Sequence, residues 1–246
     1  MVKVILVTGS NAGIGLELVR LLAEKPEQHT VYLSARKEAA GRDAVAKFHD
    51  QGLKNVKFVK LDVTDLATAQ AAKETIEKAE GRLDALLNNA GISEFGSNQD
   101  ATNVDMTAAR EAMEINFFGL VQTTLVFLPL LRQNPNNTTK TILNVSTDMA
   151  SNAYQARPDS KLHAVAYNSS KAAANSYTIA LAHELKDDNI KVNAATPGFT
   201  STKLNFHEEG GKTAKEGAES LLPYALLSED GPTGKFFDWN GDEFPW

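Results

Sequence analysis

The chain of 246 residues contains no cysteine, which excludes disulfide staples, thiolate nucleophiles and cysteine–zinc sites. Histidine is scarce, and His29, His49, His163, His183 and His207 form no H-x-x-x-H or H-E-x-x-H pattern, so no metal site is expected. No stretch reaches the ~18 consecutive apolar residues of a membrane span. The first apolar run is too short for a signal peptide. Charge of one sign is also lacking: 25 basic and 31 acidic residues are interspersed, for a net charge of −6. That balance argues against a nucleic-acid groove or an anionic membrane surface as partner. These absences predict a cytoplasmic protein, in which the sequons at Asn136, Asn137, Asn144 and Asn168 are chance matches.

What is present is a hydrophobic content of 42%, enough to bury a full core in one domain of this length. Strand-like and helix-like segments alternate without a linker or repeat. Strands are predicted at Val2–Val7, His29–Ala35, Asn55–Leu61, Leu83–Leu87, Lys140–Val145 and Ile190–Ala195, with a last one at Gly234–Trp239. Helices are predicted at Arg36–Gln51, Leu66–Ala79, Thr107–Arg132, broken by Asn134–Thr138, and Tyr167–Lys186. Strands joined by helical crossovers pair in parallel, with helices on both faces. The expectation is a single doubly wound, Rossmann-type α/β domain spanning residues 1–246.

The most informative segment is Thr8–Gly15 (TGSNAGIG), between the first strand and an amphipathic helix that carries Leu18, Val19, Leu21 and Leu22. Strand, glycine turn and helix form the context in which such a fingerprint binds a dinucleotide. Gly9 permits the tight exit from the strand. Gly13 and Gly15 let the backbone approach a pyrophosphate, which then faces the positive end of the helix. A second pair, Tyr167 and Lys171 (YNSSK), is four residues apart at a helix start and projects from one face. A phenol has a pKa of about 10, and a neighbouring ammonium lowers it. Such a pair suits a carbonyl oxygen that gains charge and needs a proton.

Together with Asp62–Val63, Asn88–Gly91 (NNAG), Asn116–Gly119 (NFFG), Asn144–Thr147 (NVST) and Pro197–Gly198, these segments resemble the short-chain dehydrogenase/reductase family, in its order and along the whole chain. The resemblance implies that Tyr167 is the general acid and that Lys171 lowers its pKa and holds the nicotinamide ribose. Asn116 would anchor a water of the proton relay, a helix-bending amide being the other reading. Thr147 stands where the family's second serine polarises the carbonyl, with Ser146 as back-up donor. The interval from Thr147 to Tyr167 is longer than usual, and the extra residues, about Asn152–His163, are expected as a loop beside the substrate pocket. Tyr154 falls nearer the ordinary spacing but has Pro158, not lysine, four residues on.

For the cofactor, the resemblance adds Asn11 and Ile14 to Gly9, Gly13 and Gly15. Asp62 would meet the adenine amino group and Val63 its ring. Asn89, Ala90 and Gly91 would line the cofactor's ribose and pyrophosphate side, Pro197 and Gly198 would also bind the cofactor just before the substrate loop, and Phe199, Thr200 and Thr202 would meet the nicotinamide carboxamide. The NAD-type acidic position is Ala35, followed by Arg36. A guanidinium there accommodates a 2′-phosphate, so NADP(H) is expected. The second basic residue common in the glycine turn of NADP-using relatives is Ala12 here, for which Lys37 or Arg42 could compensate. The segment from about 199 to 224 corresponds to the substrate loop, and Glu216–Phe236 is similar to the tail of the carbonyl-reductase branch. The implied activity is reduction of a ketone, aldehyde or quinone, by a monomer or a homo-oligomer. A dedicated biosynthetic ketoreductase and a low-turnover nicotinamide-binding regulator are the alternatives.

Overall fold

In the computed structural model, which describes residues 1–133, 138–160 and 162–246, seven strands form one sheet in the order β3-β2-β1-β4-β5-β6-β7. They are β1 (Val4–Val7), β2 (Thr30–Ala35), β3 (Val56–Lys60), β4 (Ala85–Asn88), β5 (Lys140–Val145), β6 (Ile190–Ala195) and β7 (Phe236–Phe237). Every pairing is parallel. The chain order reverses between β1 and β4, the switch point at which ligands bind beyond the carboxyl ends of the strands.

Side-chain alternation explains how each strand serves two cores. In β1, Ile5 and Val7 pack against Leu18 of α1 (Gly13–Ala23) and Phe48 of α2 (Glu38–Asp50) on one face. Val4 and Leu6 pack on the other face with Ile76 of α3 (Leu66–Glu80). A parallel strand covered on both faces needs a continuous apolar run, and VILV is fully buried.

The predicted helix from Thr107 to Arg132 divides. It comprises α4 (Met106–Met113), a π-helical stretch Glu114–Gly119 and α5 (Leu120–Arg132). As one run it is long and apolar enough to cross a membrane, yet here it lies against α3, β4 and α7 (Val165–Glu184). Phe127, Leu130 and Leu131 fill that core. The break expected after α5 falls, apart from Thr138, outside the described residues. Strand β7 is shorter than predicted, and α2 begins after Arg36, which leaves that side chain at the strand end. The interval expected as a loop at 152–163 opens with a helical turn, α6 (Asn152–Gln155). Of the segment 199–224, residues 214–221 form α8, which packs on α1 through Ala218 and Leu221.

Candidate active site

The glycine turn leaves β1 with Gly9 and Gly13 in the left-handed region, at φ +58° and +59°, which disfavours side chains. A Cβ at Gly9 would also meet Ala90 at 2.9 Å, and one at Gly15 would meet Asn89 Nδ2 at 2.4 Å. Asn89 fixes the turn by donating from Nδ2 to the carbonyls of Thr8 (2.9 Å) and Gly9 (3.2 Å). The Thr8 hydroxyl accepts from the backbone N–H groups of Asn89 and Ala90. The cleft above is lined by Gly9, Asn11, Gly13, Ile14, Gly15, Arg36, Asp62, Val63, Asn89, Ala90 and Gly91, together with Lys203, which motif reading passed over.

These residues fit a dinucleotide. The α1 N-terminus has Ala12 at its cap, with no capping side chain and no acid in its first turn, which leaves its N–H groups and dipole suited to an anion. Arg36 is exposed at the end of β2 with no ion pair among the described residues. Arg42 does not supply the second cation: it pairs with Glu38 at 2.7 Å and lies over the Phe58 ring. Lys37 does not line the cleft. Asp62 accepts from both the N–H and the hydroxyl of Thr64.

A second cavity, of about 480 Å³, adjoins the first and shares Ile14, Asn89, Gly91, Thr202 and Leu204 with it. Thr147, Tyr167 and Lys171 all face it, as do Pro197, Gly198, Phe199 and Thr200. Thr147 follows β5 and Tyr167 sits in the first turn of α7, so strand and helix deliver the two hydroxyls to one place. Ser146 borders the cavity as well. The Ser146 hydroxyl donates to Asn175 Oδ1 at 2.7 Å, while the Thr147 hydroxyl accepts from Met149 N–H at 3.3 Å and donates to Asp148 Oδ1 at 3.1 Å.

The electrostatics differ from expectation. Burial pushes the Tyr167 phenol above its ordinary pKa, the Asp148 charge pushes it further, and only the adjacent Thr147 hydroxyl opposes them. Lys171 is not among the groups that shift it, and its ammonium donates to the Val145 carbonyl at 2.8 Å. Burial lowers Lys171 itself to about 8. Asn116 lines neither cavity. Its Nδ2 donates to the Ile92 carbonyl (2.8 Å) and Ser170 Oγ (2.9 Å), and its Oδ1 accepts from Ile92 N–H. With its amide committed to protein partners on a π-helical stretch, a feature frequent at functional sites, the side chain positions the loop after β4 beside Lys171. A Cβ at Gly91 would sit 3.0 Å from Asn116 Oδ1 and 3.3 Å from Lys171 Nζ.

The longer interval before Tyr167 does border the cavity, through Tyr154, Gln155, Asp159, Ser160 and Leu162. Tyr154 packs on Phe244 and under Arg157, whereas the Tyr167 ring meets the edge of Phe95 at 5.4 Å. In the following loop the Thr200 hydroxyl donates to the Gly198 carbonyl, and the Thr202 hydroxyl accepts from Leu204 N–H. Among the described residues no three His, Asp or Glu side chains come together as metal ligands. Phe95, Asp148, Met149 and Leu204 were missed as cavity residues, since no motif marks a side chain that a loop brings in.

The profile of the short chain dehydrogenase family matches residues 3–211. The chain belongs to that family, in its carbonyl-reductase-like branch. This dehydrogenase is 29% identical to salutaridine reductase of Papaver somniferum, over 94% of this chain and 93% of that protein. It is 30% identical to a benzil reductase of Saccharomyces cerevisiae, over 92% and 81%. Its fold is similar to that of an NADPH-bound carbonyl reductase from chicken fatty liver, with TM-score 0.84 and 26% identity over 100% and 99% of the two chains.

Proposed function

We propose that this dehydrogenase reduces a ketone, aldehyde or quinone carbonyl to an alcohol with NADPH. The observation that carries the proposal is the meeting of Thr147, Tyr167 and Lys171 in a cavity continuous with the glycine-turn cleft. NADPH, when bound, supplies the hydride. The α1 N-terminus and glycine turn hold the pyrophosphate, Arg36 the 2′-phosphate, and Asp62 and Val63 the adenine. Lys171 and the loop at Pro197–Thr202 hold the nicotinamide end. The Thr147 hydroxyl donates a hydrogen bond to the substrate oxygen, and the Tyr167 phenol gives it a proton. The phenol's raised pKa keeps that proton in place until the oxygen gains charge. Phe95, Met149, Tyr154 and Phe199 on the cavity wall offer apolar surface to a bulky carbonyl compound.

A panel of quinones, diketones and aldehydes, followed by loss of reduced-nicotinamide absorbance, tests the proposal. Turnover of bulky carbonyls is the expected result. Tight NADPH binding with no turnover across the panel would instead leave the regulatory alternative.

Arg36 sets the cofactor preference. NADPH should bind at least tenfold more tightly than NADH, or ~1.4 kcal/mol, and Arg36→Asp should abolish or reverse the ratio. Equal affinities of the unaltered protein for the two nucleotides would refute that role.

Asp148 sets the pH response. Its charge raises the Tyr167 pKa, so Asp148→Asn lowers it, and the phenolate forms at lower pH. In the alcohol-oxidising direction, where phenolate is the base, the rising limb of kcat/KM should move to lower pH than in the wild type. A limb that stays put or moves upward contradicts the coupling.

A further inference from the structure

We propose that Lys203 is a second cationic anchor of the cofactor, closing over its pyrophosphate. The inference rests on the dinucleotide reading of the cleft but concerns a residue outside the glycine turn. Among the described residues two basic side chains line that cleft, Arg36 and Lys203, and one acid, Asp62, which is turned to Thr64. The two cations belong to different ends. Arg36 ends β2, on the adenosine side. Lys203 follows Thr202, whose Cβ and Cγ2 lie 3.9 Å from the position of a Cβ on Gly13. Gly13 is the first residue of α1, where no side chain caps the N–H groups, an arrangement that suits an anion. Lys203 therefore lines the cleft next to the residue that approaches the α1 N-terminus, on its pyrophosphate side.

The backbone there is well defined. Lys203 opens a 3-10 turn, Lys203–Asn205, fixed by reciprocal capping between Thr202 and Asn205. Asn205 Nδ2 donates to the Thr200 carbonyl at 3.1 Å, and Ser93 Oγ donates to the Leu204 carbonyl at 2.6 Å. The Lys203 side chain is exposed and has no carboxylate partner among the described residues. A flexible ammonium on a fixed turn pairs with phosphate as a point charge. Its neighbours Thr202 and Leu204 line both cavities, so the pairing also steadies one wall of the carbonyl cavity.

Titration calorimetry of the whole protein with NADPH and with NADH provides the test. Lys203→Gln should weaken both nucleotides about tenfold and equally, as loss of one charge-assisted contact predicts. Lys203→Arg should bind both nearly as the wild type does. Arg36→Asp, in contrast, should weaken NADPH selectively, so that the two anchors separate in one experiment. Unchanged affinities in Lys203→Gln would overturn the proposal, and so would weakening of NADPH alone, which would move Lys203 to the 2′-phosphate. If the wild type bound neither nucleotide, the reading of the cleft itself would fall with it.

Discussion

Tyr167→Phe should lower kcat for carbonyl reduction by about 10²–10⁴, the usual range for removal of a general acid, while NADPH affinity stays near the wild-type value. The change deletes one oxygen and keeps the ring, so the edge contact with Phe95 survives. The phenol is buried beside Thr147 and Asp148, where bulk water is poorly placed to substitute as donor. The rival residue, Tyr154, lines the same cavity, but its ring is held by Phe244 and Arg157. It has no lysine one turn away. Tyr154→Phe should therefore retain most turnover. The decisive measurement is single-turnover reduction by both variants, with nucleotide affinity measured alongside. If Tyr154→Phe loses the reaction and Tyr167→Phe keeps it, the assignment across the interval at 152–163 is wrong.

The parts of this molecule legible in the sequence are those governed by local rules. VILV announces a strand buried on both faces, and alternation along NVST turns the Ser146 hydroxyl to Asn175, although Ser146 and Thr147 both border the carbonyl cavity. The glycine turn was legible because its close approaches to Ala90 and Asn89 leave no room for a side chain. Features that depend on tertiary contact were not legible. The π-helical stretch around Asn116 is stabilised by bonds to Ile92 and Ser170, which are distant in sequence. Helical periodicity alone could only join α4 to α5. The resemblance implies a Lys171 that depresses the Tyr167 pKa, whereas the burial and the Asp148 charge that raise it arise only from packing. Lys203 escaped notice for a similar reason. Its importance lies in the 3-10 turn that brings it into the cleft beside Thr202, which approaches Gly13, and no spacing rule connects residues that far apart.

Thr147→Val should slow reduction toward the 10²–10³ loss in kcat seen when one donor to a developing oxyanion is removed. The threonine hydroxyl has one proton. Its oxygen already accepts from Met149 N–H, and its proton rests on Asp148 Oδ1 at 3.1 Å. To polarise a carbonyl it must turn that proton from Asp148 into the cavity, exchanging one charged acceptor for another as the substrate oxygen becomes negative. The exchange favours the transition state over the ground state, so its loss should appear in kcat more than in KM. Thr147→Ser keeps the hydroxyl, removes the methyl that restricts its rotamers, and should match or exceed the wild-type rate. Because serine also preserves the bond from Met149 N–H, a low rate in valine and a normal rate in serine separates catalysis from the fold of the Asp148–Ala150 turn. Ser146→Ala should have a smaller effect, felt through the lost bond to Asn175. The three variants are compared by kcat and KM on one well-turned-over carbonyl. Near-normal turnover in Thr147→Val with collapse in Ser146→Ala would assign the donor to Ser146, which also borders the cavity and would have to leave Asn175.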